Sequence, residues 1–323
     1  AVMAQEYKKI LDSYDWDGVN LGELYFEAGK GFDNPNLFAP MHPSAQHEVR
    51  RKYNIDLAGI FNPLSPYFWK TNAFAKNAVV EYRVNQLTLA YETFLSIFSK
   101  IAKTKPGFQI VVTALDGYGS PELREYLGVD MNQIIALQKK YQFVLQVEDP
   151  ENLWSSDPAR YIEIGRKYER LVSDSSKISL DLNILSFRKK EAITPFPTLI
   201  QTGAESFYLV KAAALGSPRF TIYSESSVNP QDMSFFANAL AAHVQYRYLD
   251  NGYDVRSPYS IVLKMPKSIS EVSVDGVALS PSRENEFLIP AGAHRVELNR
   301  NASSTFSTHE LQVKIMSITG NLI

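Results

Sequence analysis

The sequence predicts an α/β fold: a (β/α)8 TIM-type barrel, incomplete in this chain, followed by a small C-terminal β-sandwich. Three observations predict it. Five short apolar runs end in a carboxylate or amide: GVNLGELYFE (18–27), FQIVVTALD (108–116), FVLQVED (143–149), ISLDLNI (178–184) and FTIYSES (220–226). Helix signals fall between these runs, and from about residue 255 the apolar period becomes two.

Residues 1–14 read as a helix, and the first strand follows. Side chains of a strand alternate between faces. Val19 and Leu21, then Val111, Thr113 and Leu115, Phe143, Leu145 and Val147, Leu180, Leu182 and Ile184, and Phe220 and Ile222 are assigned to one face. Asn20 and Gly22, Val112, Ala114 and Asp116, Gln146 and Glu148, Asp181 and Asn183, and Tyr223 and Glu225 are assigned to the other. In a parallel barrel the outward residues pack on helices, and the active site lies at the carboxyl ends of the strands.

The longest helix is expected over about 77–103, where Val80, Val84, Leu87, Tyr91, Phe94, Phe98 and Ile101 share one face and Lys105-Pro106-Gly107 ends the run. Ser120-Pro121, Asp157-Pro158 and Asn229-Pro230 each pair a capping side chain with proline at the first helical position. A loop-rich insertion, about 28–76, carries Pro35, Pro40, Pro43, Pro63 and Pro66 with Phe61, Tyr67, Phe68 and Trp69. Such insertions commonly shape a cleft.

YSIVLKM, SEVSVDGVAL, EFLIP, AHRVELN and HELQVKIMSI supply the sandwich strands, with hairpin turns expected at Asp275-Gly276 and at Pro290-Ala291-Gly292. The expected division is a barrel domain over 1–254 and a sandwich over 255–323, the latter read as support. Five strand–helix units against the eight of a closed barrel make these the fourth to eighth, so a missing N-terminal part of the same barrel is an expected partner. An open doubly wound sheet is the alternative; the absence of any GxGxxG or GxxxxGK[ST] loop favours the barrel.

With 323 residues, 45% hydrophobic and 21% charged, the chain has the composition of a globular protein with a substantial core. Net charge is −2 with scattered cations, which gives no footprint for nucleic acid. There is no cysteine, so disulfides and thiol chemistry are excluded. No run is long enough for a membrane span.

DWDGVNLGELYFEAG, the Tyr82-Arg83 pair, LQVEDP (145–150) and IYSES (222–226) together resemble barrel proteins of the glycoside hydrolase superfamily, more narrowly glycosidases encoded among bacterial exopolysaccharide genes. The resemblance implies a polysaccharide or oligosaccharide substrate and an extracytoplasmic site of action, periplasmic or secreted. In retaining members the acid/base glutamate ends the fourth strand and the nucleophile ends the seventh. The first position carries over to Glu23, although Gly22 precedes it where asparagine is common. The second does not carry over, because SLDLNIL offers Asp181 and Asn183.

Glycosidic cleavage needs one protonated and one ionised carboxyl group, about 5 Å apart for retention and about 6.5–9.5 Å for inversion. Glu148 and Glu225 have the inward phase at strand ends. Glu23 has the outward phase and enters a pocket only if the chain bends there. The candidate catalytic residues are therefore Glu23, Glu148 and Glu225. The candidate substrate-binding residues are Asn20, Tyr25, Asp116, Tyr118, Gln146, Asp181, Asn183 and Tyr223. No cofactor or metal is expected, since His42 and His47 fit no ligand motif. Arg83 reads as the partner of a buried acid, and Trp16, Trp69 and Trp154 as core. The function expected is glycoside hydrolysis by carboxylate acid/base chemistry; the alternative is a non-catalytic polysaccharide-binding barrel in an exopolysaccharide or cell-surface assembly.

Overall fold

The computed structural model describes residues 2–26, 31–149, 157–183, 203–223, 228, 230, 233–258, 260–265, 269–281, 285–300 and 312–315. The chain forms two compact units, residues 1–150 with 171–177, and residues 151–170 with 178–323.

The first unit runs α1 (Val2–Ser13), β1 (Gly18–Leu21), α2 (Pro43–Tyr53), α3 (Ala73–Ala102), β2 (Gln109–Leu115), α4 (Pro121–Leu127), α5 (Met131–Tyr141) and β3 (Val144–Glu148). Its strands are parallel, with β2 between β1 and β3. Parallel neighbours require a crossover, which α3 supplies for the first pair and α4 with α5 for the second. All seven residues of the apolar stripe predicted on α3 are buried. The helix starts earlier than expected because the Asn72 side chain accepts from the Ala75 N–H at 2.8 Å and caps it.

The insertion is more ordered than its prolines suggest. It holds α2, whose few apolar residues gave no helical period, and it packs on α3 in a core where Phe32, Phe38, Val49 and Ile60 are buried with Val79 and Tyr82 and where Trp69 packs on Phe32. His42 caps α2, its Nδ1 accepting from the Ser44 N–H.

The register corrects the expected facing of β2. Asn20 lies beside Val111, Thr113 beside Gln146 and Leu115 beside Glu148. Directly paired residues share a face, so Thr113 and Leu115 stand with Gln146 and Glu148, whereas Val112 and Ala114 take the opposite face and Asp116 continues their phase. The reversal has a simple cause. QIVVTAL is apolar in both phases, and both Val112 and Ala114 are buried.

The second unit runs α6 (Ala159–Glu169), β4 (Ile178–Asn183), α7 (Gly203–Gly216), β5 (Phe220–Tyr223) and α8 (Met233–Ala241), then antiparallel strands. α6 starts one residue later than expected: Pro158 is at the cap position rather than the first helical one, and Asp157, just before it, accepts from the Ala159 N–H at 2.9 Å. The helix start expected at Asn229-Pro230, and Trp154, lie outside the described residues. β4 and β5 are parallel, with Asp181 beside Thr221 and Asn183 beside Tyr223, so their facing is the one expected. Helices α6 and α7 meet at glycines. A Cβ on Gly165 would stand 1.9 Å from the Gly216 carbonyl oxygen, which is backbone and cannot rotate away. Gly165→Ala is expected to force the helices apart and destabilise the unit by about 1–3 kcal/mol, read as a lowered thermal midpoint.

The antiparallel part comprises β6 (Gln245–Leu249), β7 (Gly252–Ser257), β8 (Ile261–Lys264), β9 (Ile269–Val274), β10 (Val277–Leu279), β11 (Glu286–Ile289), β12 (Gly292–Arg300) and β13 (Gln312–Ile315). One sheet has the order β10-β9-β12-β7-β6 and the other β11-β8-β13. Antiparallel pairing thus begins at β6, before the change of period. Gln245 to Tyr248 are exposed on both faces and leave no apolar alternation to read. Asp275 and Gly276 make the expected two-residue hairpin, with φ of +52° and +81° at both central positions, the geometry of a type I′ turn. Pro290-Ala291-Gly292 is not a hairpin: β11 pairs with β8 and β12 with β7 and β9, so this segment carries the chain from one sheet to the other.

The hairpin sets the state of one histidine. His294 places Nδ1 at 2.7 Å from the Asp275 carboxylate and Nε2 at 3.2 Å from the Ala291 carbonyl. Both partners are acceptors, so both ring nitrogens are best used as donors, and the imidazolium is favoured. These bonds raise its pKa above the ordinary 6.5. A raised value in the folded state gives stabilisation that is complete below 6.5 and is lost as pH climbs through the folded pKa. A proton-detected titration is expected to place the His294 midpoint above that of a model peptide, and Asp275→Asn to lower it.

Candidate active site

Five residues after the short strand β1 carry the first carboxylate. At Leu21 the ladder ends, and Glu23 adopts a left-handed backbone with φ +55°. The Tyr25 N–H bonds back to the Glu23 carbonyl at 3.0 Å, and the Phe26 N–H is tied to the Leu127 carbonyl at 2.9 Å. This bend re-aims Glu23, whose strand phase would have sent it outward. Such conformations in non-glycine residues concentrate at functional positions.

The second carboxylate is Glu148, the last residue of β3, which stands beside Leu115. Its carbonyl accepts from the Asp116 N–H at 2.7 Å, extending the ladder to the end of the sheet. Glu23 and Glu148 border a single narrow cleft with a free volume of about 10 Å³, room for little more than one water molecule. Tyr25, Thr113 and Gly117 line it as well, and Tyr91, Leu123, Leu127 and Val129 form its apolar wall.

A polar row lies along the same strand face. Thr113 Oγ1 donates to the Asn20 side-chain oxygen at 3.0 Å, and Thr113 stands opposite Gln146, which is buried. Tyr91, almost wholly buried, belongs to α3. Burial, with Tyr25 nearby, pushes its phenol above the usual range, so it is a neutral hydroxyl at any physiological pH; a hydrogen bond with the Leu24 backbone works in the opposite direction. That bond also holds the bend that carries Glu23.

The wall of the cleft is secured by Arg83, which is fully buried. Its guanidinium donates to the backbone carbonyls of Glu125 and Tyr126 near the end of α4, and lies 5.1 Å from the Phe26 ring centroid and 4.6 Å from that of Phe38. Burial lowers its pKa to about 10, with the charge of Glu125 acting the other way. Its hydrogen-bond partners are therefore carbonyls, not the buried acid expected from sequence.

Of the expected site residues, Glu23, Tyr25 and Glu148 come together, with Asn20 and Gln146 on the polar row beneath them. Asp116 and Tyr118 lie on the connection from β2 to α4, outside the lining of the cleft. Asp181 is buried on β4, and Tyr223, exposed at the end of β5, is the strand partner of Asn183. Glu225 lies outside the described residues. Sequence reasoning missed Thr113 and Tyr91: the first through the reversed phase of β2, the second because it repeats with the apolar stripe of α3. Among the described residues no group of three His, Asp or Glu could hold a metal ion, and no helix is long and apolar enough to cross a membrane.

No protein-family model matches the sequence, and no curated protein matches it. Among solved structures the chain is similar to the glycoside hydrolase domain of PgaB (BpsB) from Bordetella bronchiseptica, at 12% identity and a TM-score of 0.49, over 73% of this chain and 60% of that one. It is also similar to the catalytic domain of a β-amylase from Paenibacillus polymyxa, at 12% identity and a TM-score of 0.40, over 72% of this chain and 62% of that one. The chain spans less than two thirds of either relative.

Proposed function

We propose that this chain is a glycoside hydrolase that cleaves a polysaccharide by carboxylate acid/base chemistry, acting outside the cytoplasm as the resembled exopolysaccharide enzymes do. The observation that carries the reading is that Glu23 and Glu148, on separate strands, border one cleft together with Tyr25 and Thr113. In this reading Glu23 is the acid/base: it gives its proton to the glycosidic oxygen as the bond from the anomeric carbon breaks. Glu148 is the second carboxylate, and a water adds to the anomeric carbon, so the products differ from the substrate by one H2O. Glu225 is proposed as a further catalytic acid. Tyr25, Asn20 and Gln146, followed by Asp116, Tyr118, Asp181, Asn183 and Tyr223, are proposed to hold sugar hydroxyls.

Incubation with neutral, amino-sugar and uronate polysaccharides tests it, with new reducing ends as the readout. Release from at least one polymer, lost in Glu148→Gln, is the expected result. Binding of a polymer without any release would assign the chain to non-catalytic polysaccharide-binding barrels.

A further inference from the structure

Away from the cleft, the five-stranded antiparallel sheet presents a face whose charges are unevenly matched. Arg247, Asp254 and Arg295 stand side by side across β6, β7 and β12. Asp254 is bonded by both arginines, with Arg295 Nε at 3.0 Å and Arg247 Nη2 on the other carboxylate oxygen. The next rung on the same face is Gln245, Arg256 and Ala293. Arg256 is exposed and has no hydrogen-bond or ion-pair partner among the described residues. It lies diagonal to both Arg247 and Arg295, within reach of long side chains. Arg247 and Arg295 thus share the Asp254 carboxylate, with Glu297 and Asp275 also acting on Arg295, while Arg256 has no carboxylate of its own among the described residues.

The rung is shaped as well as charged. Ala293 has only a methyl group beside Arg256, and these residues line a shallow, open hollow of about 520 Å³. A free, planar, five-donor fork beside open space suits a sugar that carries an oxyanion, which it can pair with two parallel bonds. Asp254 keeps Arg247 and Arg295 in place, leaving Arg256 as the donor with unused capacity.

We propose that this sheet face is a binding site for an acidic polysaccharide, with Arg256 taking a sugar carboxylate in a forked pair and Arg247 and Arg295 supplying the surrounding positive field. The site is separate from the cleft and does not rest on hydrolysis there. It replaces the purely supporting role expected for these strands.

The test is affinity electrophoresis of the full chain through gels containing polygalacturonate or neutral dextran, with inorganic phosphate as competitor. Retardation by polygalacturonate and not by dextran is expected, weakening as salt is raised. Arg256→Gln is expected to weaken it about tenfold, the loss of a charge-assisted pair, and Arg256→Glu to abolish it, while Glu148→Gln leaves the loss on Arg256→Gln unchanged. Equal retention by dextran, wild-type retardation in both Arg256 variants, or phosphate binding without retardation by polygalacturonate would each overturn the proposal.

Discussion

Glu148→Gln is expected to lower turnover about 10²–10⁴-fold, the range over which a positioned acid or base accelerates proton transfer. Glutamine keeps the size and most of the hydrogen-bonding capacity of the side chain but can neither hold nor release a proton at the reacting oxygen. Substrate binding should survive while kcat falls. Glu23→Gln is expected to do the same, and the double variant should fall little further than either single one, because two groups that serve one transition state do not contribute additively. Reducing-end release under saturating polymer measures all three. Turnover close to wild type in both single variants would remove the two carboxylates from the chemistry.

Arg83→Met should carry the largest penalty in stability, about 3 kcal/mol. The side chain is fully buried, and two backbone carbonyls depend on it. Methionine fills a similar volume, so packing is largely kept. The Glu125 and Tyr126 oxygens, however, lose their donor in a place that water does not replace, at about 1–3 kcal/mol for each stranded acceptor. Arg83→Lys should fall between, since a single ammonium on a flexible stem does not match two carbonyls as a planar fork does. Urea unfolding gives the magnitude, and amide exchange in α4 its location. Because Phe26 stacks on Arg83 and closes the bend after Glu23, activity should decline along with stability. Exchange in α4 unchanged from wild type would show that the carbonyls have found other partners.

The parallel strands, the apolar face of α3 and the cap at Ser120 were legible because each rests on a local rule: alternation, helical spacing, or a side-chain acceptor before a helix. Glu148 was legible for the same reason, as an acid in phase with Gln146. β2 was not, since a strand apolar in both phases has no face to read until its neighbours fix the register. Edge strand β6 was hidden by the opposite defect, being polar or aromatic on both sides. Glu23 needed its left-handed bend, and that bend depends on Leu127 and Tyr91, far away in sequence. Arg83 likewise took carbonyl partners that no spacing could announce.

The turn at Glu23 settles when an entropic cost is met. A left-handed backbone is disfavoured for a residue with a Cβ by roughly 1–2 kcal/mol, and it persists because Tyr25, Phe26 and the Leu24 backbone are each fastened nearby. Folding itself absorbs the ordering of this carboxylate. In the function proposed, a sugar arriving at the cleft meets a preorganised group, and the free energy of encounter is left for recognition rather than for arranging the chain.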